Sequence, residues 1–276
     1  MPIITLTTDY GTRDPYVAAL KGVLVTMAPS ALVFDLSHEI APQDLMEAAF
    51  FLRNTYPYYP KDTIHVAVVD PGVGTVRRAV ALRANGHFFV GPDNGMFSLM
   101  LDGDAIDELV ELNIPAFWRT PHPCDTFHGR DIFAPIAATL AQGIPLHQLG
   151  RPLDSLKPLY WALPIADPQG IRGWITHIDR FGNCISNIHQ NLFLQHHQSR
   201  KPKCYVGSAI INGLHKTYGQ VDSGEIVMLF GSHGFLEIAI NEGRAAELLG
   251  IVKGTPLSLV FMEQKRYVPE LEALGS

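Results

Sequence analysis

The chain has 276 residues, 47% of them hydrophobic and only 17% charged, which is enough to bury a sizeable core and excludes a disordered protein. A net charge of −6 argues against bulk electrostatic binding of nucleic acid, and no apolar run reaches the roughly 18–20 residues of a membrane span. The three cysteines, Cys124, Cys184 and Cys204, are widely spaced and fit a reducing cytoplasm, not a disulfide framework or a zinc cluster, and Met1-Pro2-Ile3-Ile4-Thr5 carries no signal-peptide pattern.

The first half alternates strand and helix signals. Residues 3–8 read as a strand ending at Asp9-Tyr10-Gly11. Asp14 is placed to cap the following helix with Pro15 at its first position, and Val17, Leu20, Val23, Leu24 and Met27 share one face. A second strand is expected over 31–36 and a helix over 43–53. The apolar run ending at Val69 then meets Asp70, followed by Pro71-Gly72-Val73-Gly74-Thr75-Val76 and two arginines, Arg77 and Arg78. A hairpin is expected across Ala84-Asn85-Gly86, its second arm running into Gly91-Pro92-Asp93-Asn94-Gly95, and a helix over 129–142 buries Ile132, Phe133, Ile136 and Leu140. This alternation predicts a layered α/β domain over 1–155. Prolines at 152, 158, 164 and 168 mark a linker over 151–170. Beyond it, short strands and turns with one helix near 244–249 predict a smaller β-barrel-like domain over 170–276.

Several polar residues stand directly after apolar strands: Asp9, Asp35 with His38, Asp70, and Asp93 with Asn94. In a parallel sheet such positions gather on one edge, where ligands of open α/β folds bind, although each alone is also an ordinary turn former. Spacing leaves open a metal site built from Asp9, Asp35, His38 and Asp70, with nothing specific in its favour. His128 lies in Thr126-Phe127-His128-Gly129-Arg130-Asp131, where a helix begins; a helix N-terminus disfavours imidazolium and leaves the ring neutral, able to accept a proton from water or to orient it. In the second half, Asp179-Arg180-Phe181-Gly182-Asn183 offers an acid to hold an amine, a ring to stack a flat base and an amide to read its edge. Gly231-Ser232-His233-Gly234 reads first as a hairpin connection and second as a ligand loop. No Gly-x-Ser-x-Gly elbow, Walker-type loop, Cys-x-x-Cys or His-Glu-x-x-His occurs.

In order along the chain, Thr8-Asp9-Tyr10-Gly11, Val69-Asp70-Pro71-Gly72-Val73-Gly74-Thr75 with Arg77, Gly91-Pro92-Asp93-Asn94-Gly95, Thr126–Asp131 and Asp179–Asn183 resemble the S-adenosyl-L-methionine hydrolase (adenosine-forming) family, the SAM hydroxide adenosyltransferases related to fluorinase and chlorinase. The resemblance covers nearly the whole length. It implies an α/β domain and a C-terminal β-barrel, a cytoplasmic homotrimer with the site at subunit interfaces, and SN2 attack of water on the ribose 5′ carbon of SAM, giving adenosine and L-methionine with no metal or redox cofactor. It places the catalytic set on Asp70, Arg77 and His128. Asp9 would grip the ribose hydroxyls, Asp14, Asp179 and Ser232 the methionine portion, and Phe181 and Asn183 the adenine. Tyr16 stands where halogenating relatives carry a serine. The alternatives are a halide-dependent SAM transferase, which a carboxylate beside the nucleophile would disfavour by repelling an anion, and a non-catalytic nucleoside-binding sensor.

Overall fold

The computed structural model describes residues 1–262. In it the β-branched run Ile3–Thr8 forms β1, and α1 (Tyr16–Met27), β2 (Leu32–Ser37), α2 (Leu45–Arg53) and β3 (Ile64–Val68) follow in alternation. β3 is buried along its whole length, which is why its sequence does not alternate between apolar and polar. Next come β4 (Ala79–Ala84) and β5 (His87–Pro92), joined by Asn85 and Gly86 with φ of 53° and 75°, the left-handed pair that a two-residue hairpin turn requires. α3 (Met96–Leu101), β6 (Ile106–Glu111), α4 (Ala134–Ala141) and the short β7 (Arg151–Pro152) complete a first unit, Met1–Ala162.

The strands of this unit lie in the order β2-β1-β3-β5-β4-β6-β7. β2, β1, β3 and β5 are parallel, and β4, β6 and β7 pair antiparallel. Ile4, Leu6, Val66 and Val68 pack on one face with Leu20 and Leu24 of α1 and Ile136 of α4. On the other face Ala67, Val69 and Phe89 pack with Leu52 of α2 and Phe97 of α3. The result is a three-layer α/β sandwich whose parallel strands finish at one edge. Because Ala79 pairs with Pro92, the antiparallel β4 starts at that same edge, and Arg77 arrives beside the ends of β3 and β5.

Three expectations change. Asp14 does not cap α1: Pro15 occupies the capping position with no side-chain bond, and Asp14 is exposed outside the helix. α2 starts at Leu45 because Asp44 caps it, accepting the Glu47 N–H at 2.9 Å. The helix expected over 129–142 opens with a π-type turn, Gly129–Phe133, before α4. Pro135 has no N–H to give the Asp131 carbonyl, which instead accepts the Arg119 N–H at 2.9 Å, so the regular ladder cannot run through.

The stretch expected as a linker, 151–170, is paired at both ends. β7 joins β6, and β8 (Ile165–Asp167) joins β9 (Gly170–Ile178); the division between units falls after Ala162. The second unit continues with β10 (Cys184–His189), α5 (Gln190–His196), β11 (Lys201–Val206), β12 (Ala209–Asn212), β13 (Ile226–Phe230), β14 (Phe235–Ile240), α6 (Ala245–Leu248) and β15 (Pro256–Met262). Its order is β12-β11-β15-β9-β10-β14-β13, all antiparallel, with β8 added to β9. The outer strands almost meet where His215 N–H donates to the Met228 carbonyl at 2.9 Å, so the sheet is a nearly closed barrel around Ile171, Cys204, Met228 and Ile238. Among the described residues no helix is long and apolar enough to cross a membrane.

Candidate active site

Asp70 lies just past the end of β3, and the glycine-rich turn after it brings Arg77 back against it. Arg77 Nε donates to Asp70 Oδ1 at 2.9 Å and Nη2 to Oδ2 at 2.5 Å, a two-pronged pair with both side chains largely buried. The same Nη2 lies 2.7 Å from His128 Nδ1, and the guanidinium sits 5.4 Å from the centre of the Phe133 ring. Arginine has no lone pair to offer, so donor logic assigns Nδ1 as the acceptor and puts the proton of neutral His128 on Nε2. Burial first, and then the Arg77 charge, hold the His128 pKa below its ordinary value against the opposing carboxylates. The expected neutral imidazole thus owes its state to burial and a cation.

Packing keeps these parts in register. Gly74 has φ of 73°, and a Cβ there would lie 2.3 Å from the Asp125 carbonyl oxygen, so only glycine lets the Asp70–Arg77 turn rest against the segment leading to His128. Behind that segment, buried Asp131 accepts from Arg119 Nε at 2.5 Å, Arg130 Nε at 2.7 Å and the Cys124 N–H at 2.9 Å. Burial raises the Asp131 pKa, but the bonds from Arg130 and Arg119 outweigh it and keep the carboxylate ionised. The Tyr10 hydroxyl comes close enough to Gly129 that a Cβ there would lie 2.6 Å away, and Tyr10, Tyr16 and Phe127 form a mutually contacting ring trio. Burial, then the charges of Asp9 and Asp70, push the Tyr10 phenol up, so it stays protonated.

The other strand-end residues separate into distinct roles. Asp9 Oδ2 accepts the Gln43 N–H at 2.9 Å. Asp14 is exposed, with no hydrogen bond among the described residues. Asp93 is occupied by Arg78 and by the Lys157 N–H at 2.8 Å, and Asn94 Nδ2 donates to the Val69 carbonyl at 2.8 Å, fixing the chain immediately before Asp70. Among the described residues no group of three or more His, Cys, Asp or Glu is placed to hold a metal ion.

In the second unit, Asp179 closes the turn between β9 and β10. Its Oδ1 accepts the N–H groups of Phe181 and Asn183, both at 2.9 Å, and its Oδ2 accepts Asn183 Nδ2 at 3.1 Å. That geometry buries Asn183 and leaves Phe181 72% exposed, its ring available to cover a flat ligand. Ser232 is exposed in the β13–β14 connection, where Gly231 N–H bonds the Phe235 carbonyl at 3.0 Å.

The model of the SAM hydroxide adenosyltransferase N-terminal domain matches residues 4–150, and that of the C-terminal domain matches residues 173–258. The chain belongs to the SAM hydroxide adenosyltransferase family. It is 41% identical over 268 residues to the (R)-S-adenosyl-L-methionine hydrolase of Thermus thermophilus, covering 91% of this chain and 97% of that one. More distantly, it is 30% identical to a fluorinase from Actinoplanes sp. over 68% of this chain and 72% of the relative. The crystal structure of an uncharacterized conserved protein from Thermotoga maritima superposes with a TM-score of 0.84 at 34% identity, covering 93% of this chain and 99% of that one.

The second unit also buries an acid, Glu237. It sits in β14, only 5% exposed, accepts the Tyr218 hydroxyl at 2.6 Å, and comes so near Gly231 that a Cβ there would lie 2.4 Å from Oε2. Burial, then the Asp179 charge, raises its pKa, and burial with those two carboxylates lifts the Cys184 thiol to about 11. An acid flanked by apolar residues in Phe235-Leu236-Glu237-Ile238 and preceded by a glycine-rich hairpin is the sequence signal for it.

Proposed function

We propose that the protein hydrolyses S-adenosyl-L-methionine to adenosine and L-methionine, with Asp70, Arg77 and His128 arranging the attacking water. The observation that carries this reading is one guanidinium bonded at once to a carboxylate and to an imidazole, in a chain 41% identical to a SAM hydrolase. The sulfonium makes methionine a neutral leaving group, so what the reaction lacks is a nucleophile at C5′ in line with sulfur.

His128, with Nδ1 engaged by Arg77, presents Nε2–H and so donates to the water oxygen. It positions the nucleophile but does not deprotonate it. Each Asp70 oxygen accepts one arginine bond and keeps lone-pair capacity. As the C5′–O bond forms and the C5′–S bond breaks, the water proton passes to Asp70 and then to solvent, one proton released per turnover. The Arg77 charge makes hydroxide character at the water more accessible as its proton moves to Asp70, and alignment of water, carbon and sulfur contributes several kcal/mol more. Charge is neutralised along this path, so a site shielded from bulk water speeds it.

In this reading Asp9 holds the ribose hydroxyls, Phe181 and Asn183 the adenine, and Asp14, Asp179 and Ser232 the methionine portion. The enzyme needs no metal or redox cofactor, works in the cytoplasm and is a homotrimer, which sedimentation tests as a mass three times that of the chain. The function itself is tested by incubating the protein with the substrate in water enriched in oxygen-18. The label should appear in the 5′ hydroxyl of adenosine without added halide. Unlabelled product, or none from folded protein, overturns the reading.

A further inference from the structure

Asp35 and His38 stand at the end of β2 and take no part in the cluster above. His38 is almost wholly buried, with Nδ1 2.8 Å from Thr8 Oγ1 and Nε2 3.0 Å from Asp35 Oδ1. The other Asp35 oxygen accepts Lys21 Nζ at 2.6 Å, and Thr8 Oγ1 accepts the Tyr10 N–H at 3.2 Å. His38 Nε2 faces Asp35 without hydrogen-bond geometry, so the bond that ties His38 to the end of β1 is the one between its Nδ1 and the Thr8 hydroxyl. Burial raises the Asp35 pKa, but the contacts from Lys21 and His38 outweigh it and lower it overall, keeping the acceptor charged.

Two further bonds come from the same segment. The Gly11 N–H donates to the His38 carbonyl at 2.7 Å, and Asp9 Oδ2 accepts the Gln43 N–H at 2.9 Å. The turn bearing Asp9 is therefore held at Thr8, Asp9 and Gly11 from the β2 side, and the side chain that bonds it at Thr8, His38, is buried.

We propose that His38 is a positioning residue: through Thr8 it fixes the turn that carries Asp9 and so sets the affinity for the ribose of the substrate, leaving the chemical step at C5′ untouched. The inference rests on the reading of Asp9 as the ribose-holding carboxylate. It names a residue outside the catalytic cluster on which substrate affinity depends.

Steady-state kinetics with S-adenosylmethionine and calorimetry with adenosine test it. His38→Leu and Thr8→Val each remove a partner, whereas His38→Asn and Thr8→Ser keep a polar group in place. The first two should raise KM and the adenosine Kd about tenfold, the equivalent of one buried hydrogen bond, with kcat changed by about twofold or less. The conservative pair should stay within about threefold of the parent protein. A merely structural role would lower the melting temperature or active fraction and leave KM and Kd unmoved, and that result overturns the proposal, as does a fall in kcat alone. If His38→Leu does not fold, the Thr8→Val and Thr8→Ser pair decides. Asp9→Ala serves as the reference. If it leaves adenosine affinity unchanged, the ribose assignment fails and this inference with it; if it weakens adenosine while folded Thr8→Val does not, only the role of His38 fails.

Discussion

Asp70 and Asp179 each follow a strand, and each has both oxygens hydrogen-bonded, yet they are bonded to different things. Asp70 is held by a long side chain that also reaches an imidazole from another part of the fold. Asp179 is held by two backbone amides and an amide side chain within its own turn. The first arrangement gathers charge from remote segments into one spot and leaves an N–H and lone pairs turned to chemistry. The second is local and self-contained, fixing the shape of a surface that a ligand can rest on. On the proposed reading, chemistry belongs with the former and recognition with the latter.

The largest effect should come from breaking the first arrangement. Asp70→Asn keeps the shape but removes the charge that orients Arg77, and turnover should fall about 10³-fold in single-turnover assays while adenosine affinity changes by threefold or less. Gly74→Ala strikes the same arrangement through the backbone. Its φ of 73° and the 2.3 Å approach to the Asp125 oxygen force the two loops apart, at a cost of about 1–3 kcal/mol, and kcat should fall about tenfold or more. Asp179→Ala should behave in the opposite way, with KM raised about tenfold, kcat nearly unchanged, and stability lowered by about 1–3 kcal/mol in urea unfolding. Equal losses of kcat in Asp70→Asn and Asp179→Ala would erase the contrast.

The mildest test concerns the interior of β3, the strand that leads to Asp70. His65 there bonds Thr5 Oγ1 at 2.7 Å and faces His87, and burial first, then His87, lowers its pKa from 6.5 to about 3. The unfolded chain binds that proton more readily than the folded one. Stability is therefore complete above pH 6.5 and is lost as pH falls from 6.5 towards about 3, by up to about 1.4 kcal/mol per unit. His65→Asn should flatten that slope in urea titrations at pH 7 and pH 5 while leaving the pH 7 activity in place.

The strand ends at Asp9, His38, Asp70 and Asn94 were legible because apolar β-branched runs stop abruptly on polar residues, and a parallel sheet must collect such ends. The hairpin at Asn85-Gly86 was legible from its dipeptide. α3 was not, since Met-Phe-Ser-Leu-Met-Leu has no periodicity and begins after a glycine with φ of 103°. The Asp14 cap was misread because local propensity does not know that Pro15 takes the capping place. The π-type turn at His128 had one local signal, Pro135 with no N–H for the Asp131 carbonyl; the Arg119 N–H that takes up that carbonyl instead lies outside any local window. Asp93 ends a strand as Asp70 does but is taken up by Arg78 and the Lys157 N–H, while Glu237, which strand alternation did not single out, feels the charge of Asp179; in both the tertiary partner decides, and strand alternation is silent about partners.

The seat that Gly74 offers to the Asp125 carbonyl bears on transplantation. Grafting residues 70–77 onto a different parallel sheet would carry over the ion pair alone, since the imidazole rides on a second loop nested against the first. A designer moving this chemistry elsewhere has to transfer both loops as one interlocked piece, with an unsubstituted α-carbon at their point of contact.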